Sequence, residues 1–176
     1  MQKQAITIST GLQLEYVEHG PVDGIPVVFL HGVTDSWRSF EAVLPLLPGH
    51  VRAFSVSMRG HGDSGRPPSG YLVTDMSADV AAFLDAVGVD RATIVGHSMG
   101  AGVAQRFAID HLHRVSALVL IGAFASMYQE PGLAAFFESS IAGLTDPIER
   151  GFAREWQLST TANEIPAAQL EASTRR

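Results

Sequence analysis

A serine between two glycines is the strongest chemical signal in the sequence. Ser98 lies in the segment Gly96-His97-Ser98-Met99-Gly100, which fits the pattern G-x-S-x-G. An apolar strand pattern over 92–95 precedes the segment, and a helical pattern rich in small residues follows it over 101–109. In that context the pattern is typical of a serine in a strained strand-to-helix turn that presents its hydroxyl outward as a nucleophile. The glycines are expected because such a turn leaves no space for side chains beside the serine.

Two backbone N–H groups are predicted to stabilise negative charge near Ser98. Met99 starts the helix, where backbone N–H groups lack acceptors and the helix dipole is positive. His31-Gly32-Val33 follows another apolar strand pattern, and a glycine there lets the N–H of Val33 turn toward the same edge of the sheet. We therefore predict that Val33 and Met99 form an oxyanion hole through their backbone N–H groups.

The strands that must position these residues are visible as apolar runs. Alternation of Leu12, Leu14 and Tyr16 with polar residues predicts an antiparallel edge strand. Continuous apolar runs predict buried parallel strands at 26–31, 51–56, 92–95 and 115–121. Because no further strand is predicted after the last of these, Val115 to Ala123 should form a long apolar sheet edge, and it invites aggregation since neither a charge nor a proline interrupts it.

Helices are predicted between the strands. One should start at Asp35 or Ser36 and be kinked or ended by Pro45, and another should be capped by Thr74, carry Asp75 and Asp79 in its first turn and stop at Gly88. Alternating strands and helices are typical of βαβ units. We predict an α/β fold with a mostly parallel sheet of about six strands and helices on both faces.

The pattern changes at about residue 125, where strands stop and short amphipathic helices begin. Leu133, Phe137, Ile141 and Leu144 share one helical face, and the segment 146–149 resembles the start of a second helix with proline at its first position. A third helix is predicted to start near Pro166. We therefore predict a core domain over 1–124 and a partial helical cap over 125–176.

Composition excludes several classes of function. The chain has 176 residues, 46% of them hydrophobic, and a formal net charge of −6, which argues against binding to nucleic acid or to an anionic membrane. The absence of cysteine excludes disulfides, thiolate nucleophiles and cysteine zinc sites, and it agrees with a cytoplasmic location. The apolar run from Val115 to Ala125 is too short to span a membrane.

Three segments together resemble the α/β-hydrolase superfamily, in particular its cofactor-free serine esterase and haloperoxidase-like branch. They are HGVTDSWRSF at 31–40, RGHGDSGRP at 59–67 and IVGHSMGAGVAQRFA at 94–108, and the resemblance covers about residues 12–125. It implies that Ser98 is the nucleophile and that the N–H groups of Val33 and Met99 form the oxyanion hole. It also implies a small-molecule acyl substrate and no metal or organic cofactor. The similar epoxide hydrolases and haloalkane dehalogenases carry aspartate where this chain has Ser98, which argues against those activities.

The chain departs from the family in one respect. Family members deliver an acidic residue and then a catalytic histidine from two strands that follow the cap. All seven histidines of this chain precede the predicted cap. His97 is expected to point away from Ser98, and His61 belongs to a loop that is structural in the family. We therefore expect that the chain is a truncated hydrolase and that it is inactive by itself.

Several alternatives stay open at this point. The same serine turn would serve a carbon–carbon bond hydrolase or a perhydrolase, and a non-catalytic ligand-binding relative would keep the same scaffold. The spacing of His111 and His113 could suggest a metal site, but a position at a helix end explains both histidines through the helix dipole. The substrate and the oligomeric state are not readable from these residues.

Overall fold

The fold is known from a computed structural model, which describes residues 1–125, 131–140, 142–144, 148–160, 164–165, 167 and 170–171. The strands of the described part are β1 Lys3–Thr7, β2 Gln13–His19, β3 Ile25–Leu30, β4 Val51–Val56, β5 Ala92–His97 and β6 Val115–Ile121. They form a sheet in the order β1-β2-β4-β3-β5-β6. β4, β3, β5 and β6 run parallel, and β1 and β2 pair antiparallel. The predicted six-stranded, mostly parallel α/β architecture is confirmed.

The described helices are α1 Val73–Ala86, α2 Met99–Asp110, α3 Pro131–Ser140 and α4 Arg150–Thr160. Residues 1–123 form one compact unit, and α3 and α4 belong to a second unit that starts at Phe124. The division into a core over 1–124 and a cap over 125–176 stays a prediction. The expected helix starts at Asp146-Pro147 and near Pro166 fall on residues 146, 147 and 166, which lie outside the described residues.

The core of the first unit lies on both faces of the sheet. On one face α1 and α2 pack against the strands through large apolar side chains, all of them buried: Leu14, Leu30, Phe54, Phe83, Ile94 and Phe107. On the other face two short 3-10 turns, Trp37–Phe40 and Leu44–Leu46, cover Val17, Phe29 and Val95. β3 and β5 are neighbouring interior strands that are covered on both faces, which fixes the places where the loops after them emerge.

Two predicted helix boundaries are wrong. The helix expected from Ser36 onward consists of the two 3-10 turns instead, because Pro45 lacks an N–H group and stands at the start of the second turn. Helix α1 begins after Leu72 and not after Thr74, because the carboxylate of Asp75 accepts the backbone N–H of Leu72 at 2.9 Å. The predicted end is confirmed, since Gly88 follows the last turn with a left-handed φ of 68°.

One edge of the sheet is formed by a different strand from the one predicted, and the other edge is formed by the predicted strand. The strand predicted around Leu14 is not an edge strand, because β1 pairs outside it, with Lys3 opposite Val17 and Thr7 opposite Gln13. The sequence did not reveal β1, since its residues are mostly exposed and show little apolar alternation. β6 forms the other edge, as predicted, and the side chains of Leu118 to Ile121 are 37–45% exposed.

Among the helices of the described residues, none has the length and apolar character that crossing a membrane requires.

Candidate active site

Ser98 occupies the sharp turn that the sequence predicts. It lies between β5 and α2 with φ 51° and ψ −115°, a conformation that costs a non-glycine residue free energy and that tertiary contacts must hold in place. One such contact is the N–H of Ser98, which donates to the carbonyl of Ile121 at 2.9 Å. The side chain is partly exposed. The turn therefore presents the hydroxyl at the carboxyl ends of β5 and β3.

The two glycines of the turn permit close approach of backbone to backbone. A Cβ atom on Gly96 would lie 2.6 Å from the carbonyl carbon of Gly100, and one on Gly100 would lie 2.6 Å from the carbonyl oxygen of His31. The N–H of Gly100 donates to that same oxygen at 3.0 Å. The start of α2 is thus packed directly against the end of β3. The prediction that no side chain fits at either glycine is confirmed.

Gly100→Ala is expected to lower the free energy of unfolding by about 3 kcal/mol, because the new methyl group would overlap the carbonyl oxygens of Leu30 and His31. Gly102→Ala is the matched control in the same helix. Apart from neighbouring residues and the backbone of its own helix, no atom of the described residues lies within 4 Å of a Cβ at Gly102, so alanine should stabilise the helix by about 0.5–1 kcal/mol. Urea unfolding of both variants measures the difference, and equal midpoints would contradict the close approach.

Of the two predicted oxyanion donors, Met99 directly follows Ser98, and Val33 lies on the loop after β3. Met99 is the first residue of α2, where the helix provides no acceptor for its N–H. Val33 follows Gly32, and a Cβ on Gly32 would lie 3.4 Å from Cβ of Ser98. Within the described part of the chain, neither N–H is engaged in a hydrogen bond. Both groups can therefore donate to a ligand, and their role as oxyanion donors stays a prediction.

The left-handed residue of the loop that carries Val33 is Thr34. Gly32 does not have a left-handed φ, whereas Thr34 has a φ of 66°. A Cβ on Gly32 would also lie 3.1 Å from Nδ1 of the exposed His97 ring, so the ring would have to shift slightly to accept a side chain there. Gly32, His97 and Ser98 therefore lie close together, and Thr34 makes the turn.

His31 anchors the start of this loop and is fully buried. Its Nε2 accepts the N–H of Met58 at 3.0 Å, so the ring proton lies on Nδ1, which donates to the carbonyl of Gly32 at 2.7 Å. Burial, with a smaller contribution from the neighbouring His61, holds the pKa of His31 well below 6.5. Since both ring nitrogens are engaged, His31 acts as a structural residue and not as a base for Ser98.

The free energy of unfolding is expected to fall as the pH is lowered through about 6.5. Unfolded His31 binds a proton in that range, whereas buried His31 does not, so the unfolded state gains up to about 1.4 kcal/mol per pH unit below it. His31→Gln should remove this contribution to the slope, and His113→Gln, which changes an exposed histidine, should keep it. Urea unfolding between pH 5 and 8 measures both slopes. An unchanged slope in His31→Gln would contradict the assignment.

No general base for Ser98 is formed by the described residues. None of them accepts a hydrogen bond from the Ser98 hydroxyl, and the exposed His97 ring lies against Gly32. His61 packs edge to face on His31, with 4.8 Å between ring centroids, and its Nδ1 lies 2.9 Å from the carbonyl oxygen of Arg59. The described residues therefore present the serine hydroxyl without a hydrogen-bonded partner that could take its proton.

Asp35 is an ionisable residue near the site, and the sequence did not reveal its burial there. The sequence favours Asp35 as a possible helix cap, and its carboxylate does accept the N–H of Ser36 at 2.9 Å. Burial raises the pKa of Asp35, opposed by its hydrogen bonds and by the nearby His97 and His61. The only signal in the sequence is its position two residues after Val33.

The loop after β4 is held by a buried ion pair. Arg59 donates from Nε and Nη2 to the two carboxylate oxygens of Asp79, both at 2.6 Å, and Nη1 also contacts the carbonyl of Gly70. The sequence places Asp79 in the first turn of α1, and this prediction is wrong. Because α1 begins at Val73, Asp79 lies one turn further on, where its side chain is buried against Arg59.

Across the described ranges, no three His, Asp or Glu side chains lie close enough to hold a metal ion. The ring of His111 packs against Phe107 at the end of α2, tilted by 35° and with 5.1 Å between centroids. The packing at a helix end accounts for His111 without a ligand.

Comparisons with known proteins give a consistent result. The family described as alpha/beta hydrolase fold matches residues 25–173. A non-heme chloroperoxidase of Streptomyces lividans is 38% identical over 122 residues, which are 67% of this chain and 44% of that protein. A 2-hydroxy-6-oxo-2,4-heptadienoate hydrolase of Pseudomonas putida is 34% identical over 159 residues, 86% of this chain and 56% of that protein. The chain thus spans about half the length of these relatives.

The fold is also similar to solved structures. A crystal structure of a hydrolase from Pseudomonas aeruginosa superposes with a TM-score of 0.75 at 28% sequence identity. The match covers 97% of this chain and 62% of that one. Nearly the whole chain therefore has a counterpart in a longer hydrolase.

Proposed function

The chain belongs to the alpha/beta hydrolase family, and on that premise we propose that it supplies the nucleophile of a serine hydrolase that acts on an ester or a similar acyl compound. Ser98 would attack the carbonyl carbon, and the N–H groups of Val33 and Met99 would stabilise the oxyanion that forms. The observation that carries the proposal is the strained conformation of Ser98 at the N-terminus of α2, beside Gly32.

The reaction has two steps. In the first, the Ser98 hydroxyl loses its proton to a general base, its oxygen bonds to the acyl carbon, and the alcohol leaves with a proton returned by the base. In the second, water gives a proton to the base and its oxygen bonds to the acyl carbon, the bond from that carbon to the Ser98 oxygen breaks, and Ser98 takes the proton back as the acid leaves. Since the described residues place no base at the Ser98 hydroxyl, we propose that residues 1–176 by themselves do not complete the cycle.

A carbon–carbon bond hydrolase is the second candidate. The relative from Pseudomonas putida is named 2-hydroxy-6-oxo-2,4-heptadienoate hydrolase, and the substrate in that name is a keto acid without an ester group. Such a reaction would use the same serine turn, and so would a perhydrolase, which the chloroperoxidase name favours. A non-catalytic ligand-binding protein would keep the fold and fail every test of Ser98 reactivity. The small acyl substrate and the cytoplasmic location stay predictions.

Imidazole can serve as the base that no described residue provides to Ser98, which gives a direct test. We expect that p-nitrophenyl acetate and added imidazole will acetylate Ser98, because imidazole takes the proton while the chain supplies the serine and the oxyanion donors. Peptide mass spectrometry locates the acetyl group. Ser98→Ala is the control for acetylation elsewhere. Equal acetylation of both proteins, with none on Ser98, would refute a nucleophilic serine.

A further inference from the structure

Glu15 is a buried carboxylate that the acyl-transfer steps leave unused. It lies on β2 and is 5% exposed. Its Oε2 accepts the hydroxyl of Ser57 at 2.8 Å and the N–H of Asp63 at 2.9 Å, and its Oε1 lies 3.1 Å from Nζ of Lys3. Burying a carboxylate is costly unless it is paired and hydrogen bonded, and these three contacts meet that need.

The hydroxyl of Ser57 links Glu15 to the loop that carries Val33. An ionised carboxylate can only accept, so the single hydrogen of the Ser57 hydroxyl points at Glu15. The oxygen of Ser57 then turns its lone pairs toward the N–H of Trp37, which donates to it at 3.2 Å. Ser55 donates its hydroxyl to the carbonyl of Trp37 at 2.9 Å. The backbone of Trp37 is thus held at both its N–H and its carbonyl.

Both ends of the Val33 loop are hydrogen bonded to two consecutive residues, Ser57 and Met58. At its start, His31 accepts the N–H of Met58. At its end, Trp37 donates to Ser57. The five residues between these anchors, 32–36, include Val33, so the position of the Val33 N–H depends on both of them.

Glu15 also reaches the second loop beside the sheet. The N–H of Asp63 lies in the loop 60–65, and Gly62 in that loop has a φ of 53°. A Cβ on Gly62 would lie 2.7 Å from the Ser57 hydroxyl. The loop therefore packs directly over the Glu15–Ser57 pair, which excludes water from it.

We propose that Glu15 is a positioning residue for the oxyanion loop: by fixing the hydrogen of the Ser57 hydroxyl, it holds Trp37 and through it the N–H of Val33 opposite Ser98. This inference rests on the proposed function. Glu15 does not touch the reacting atoms in this scheme, and its effect is carried by Ser57.

Two substitutions at Glu15 separate hydrogen bonding from shape. Glu15→Gln keeps an oxygen that can accept from both Ser57 and Asp63, whereas Glu15→Met fills a similar volume and accepts nothing. Glu18→Met is the matched control, because Glu18 lies on the same strand and is paired with Nε of Arg52 at 2.6 Å, away from both loops. All variants are made in the 176-residue chain.

The first readout is amide hydrogen exchange at Trp37, which reports the anchor without any chemistry at Ser98. In Glu15→Met we expect this exchange to be about tenfold to hundredfold faster, the factor that corresponds to one hydrogen bond of this charged type. In Glu15→Gln and Glu18→Met it should stay within about twofold of the unsubstituted chain. The Val95 amide in β5 serves as a reference for general loosening.

The second readout is imidazole-assisted acetylation of Ser98. Glu15→Met should be about tenfold slower than the unsubstituted chain, and Glu15→Gln should restore most of the rate, since removal of one oxyanion donor costs about 10²–10³ and a misplaced donor costs less. A merely structural role would not produce slow acetylation in a chain whose Val95 amide stays protected.

The outcomes are distinguishable. Unchanged exchange at Trp37 in Glu15→Met, or a normal acetylation rate despite faster exchange, overturns the positioning role. Absence of Ser98 acetylation in the unsubstituted chain refutes the proposed function, while exchange at Trp37 still decides whether Glu15 holds the loop. If Glu15→Met does not fold, Ser57→Ala gives the same two readouts, with Ser57→Thr as the rescue variant that keeps the hydroxyl.

Discussion

Residues 1–176 alone are expected to hydrolyse p-nitrophenyl acetate without added imidazole no faster than their own Ser98→Ala variant. A serine hydroxyl is a weak nucleophile near pH 7, and no described residue takes its proton. In the serine protease subtilisin, removal of the serine or the histidine alone costs about 2 × 10⁶ in turnover. We expect a deficit of about the same size relative to a hydrolase with a complete triad, and only weak labelling by a fluorophosphonate.

A fast rate that depends on Ser98 would contradict this expectation. In that case a residue of this chain must serve as the base, and His61 and His97, whose charges act on the same carboxylate of Asp35, are the first to replace. His31 follows them, although both its ring nitrogens are engaged. Loss of the rate in one of these variants, with an unchanged unfolding midpoint, would identify the base.

Asp79→Ala is expected to lower the free energy of unfolding by about 3–5 kcal/mol, because it leaves the guanidinium of Arg59 buried without its bidentate partner. The side chains of Arg59 and Asp79 are 10% and 6% exposed, so water replaces the lost contact poorly. Since this pair connects α1 to the loop after β4, we also expect faster amide exchange in the segment around His61. Urea unfolding and hydrogen exchange measure the two effects.

Asp110→Ala is the matched control for this prediction. It breaks the ion pair of Arg106 and Asp110, which spans one helical turn, has a distance of 2.7 Å and has side chains 43% and 28% exposed. An exposed pair of this kind contributes about 0.3–0.5 kcal/mol. If Asp79→Ala and Asp110→Ala lower the free energy of unfolding equally, burial does not make the Arg59–Asp79 pair more important for stability than an exposed pair.

The local features of the site were predictable because they are encoded in adjacent residues. The spacing of Gly96, Ser98 and Gly100 between an apolar strand and a small-residue helix predicts the turn, and the structure shows it with the expected close backbone approach. The strand runs and the stop at Gly88 are local in the same sense, since a period of apolar residues or a left-handed residue acts within a few positions. The three motifs also predicted the family.

The helix starts and one sheet edge were less predictable, because several local signals competed there. Pro45 outweighed the helical spacing of apolar residues, and Asp75 moved the start of α1 by accepting the N–H of Leu72. β1 was not recognised, since a strand that is paired on one side and mostly exposed needs little apolar alternation. Its existence depends on the neighbouring β2 more than on its own residues.

The sequence by itself determined the alternation of strands and helices from β3 to β6, the strained turn at Ser98 and the family, because each depends on residues that are close in the chain. Only the tertiary structure decided that Glu15 meets Ser57 and that Asp79 meets Arg59, because these partners are 42 and 20 residues apart. Such pairs form when the strand order places β2 beside β4 and α1 over the loop that follows it. Charge and polarity in a sequence show that a residue can pair, whereas the folded sheet selects the partner and removes the water that would otherwise compete.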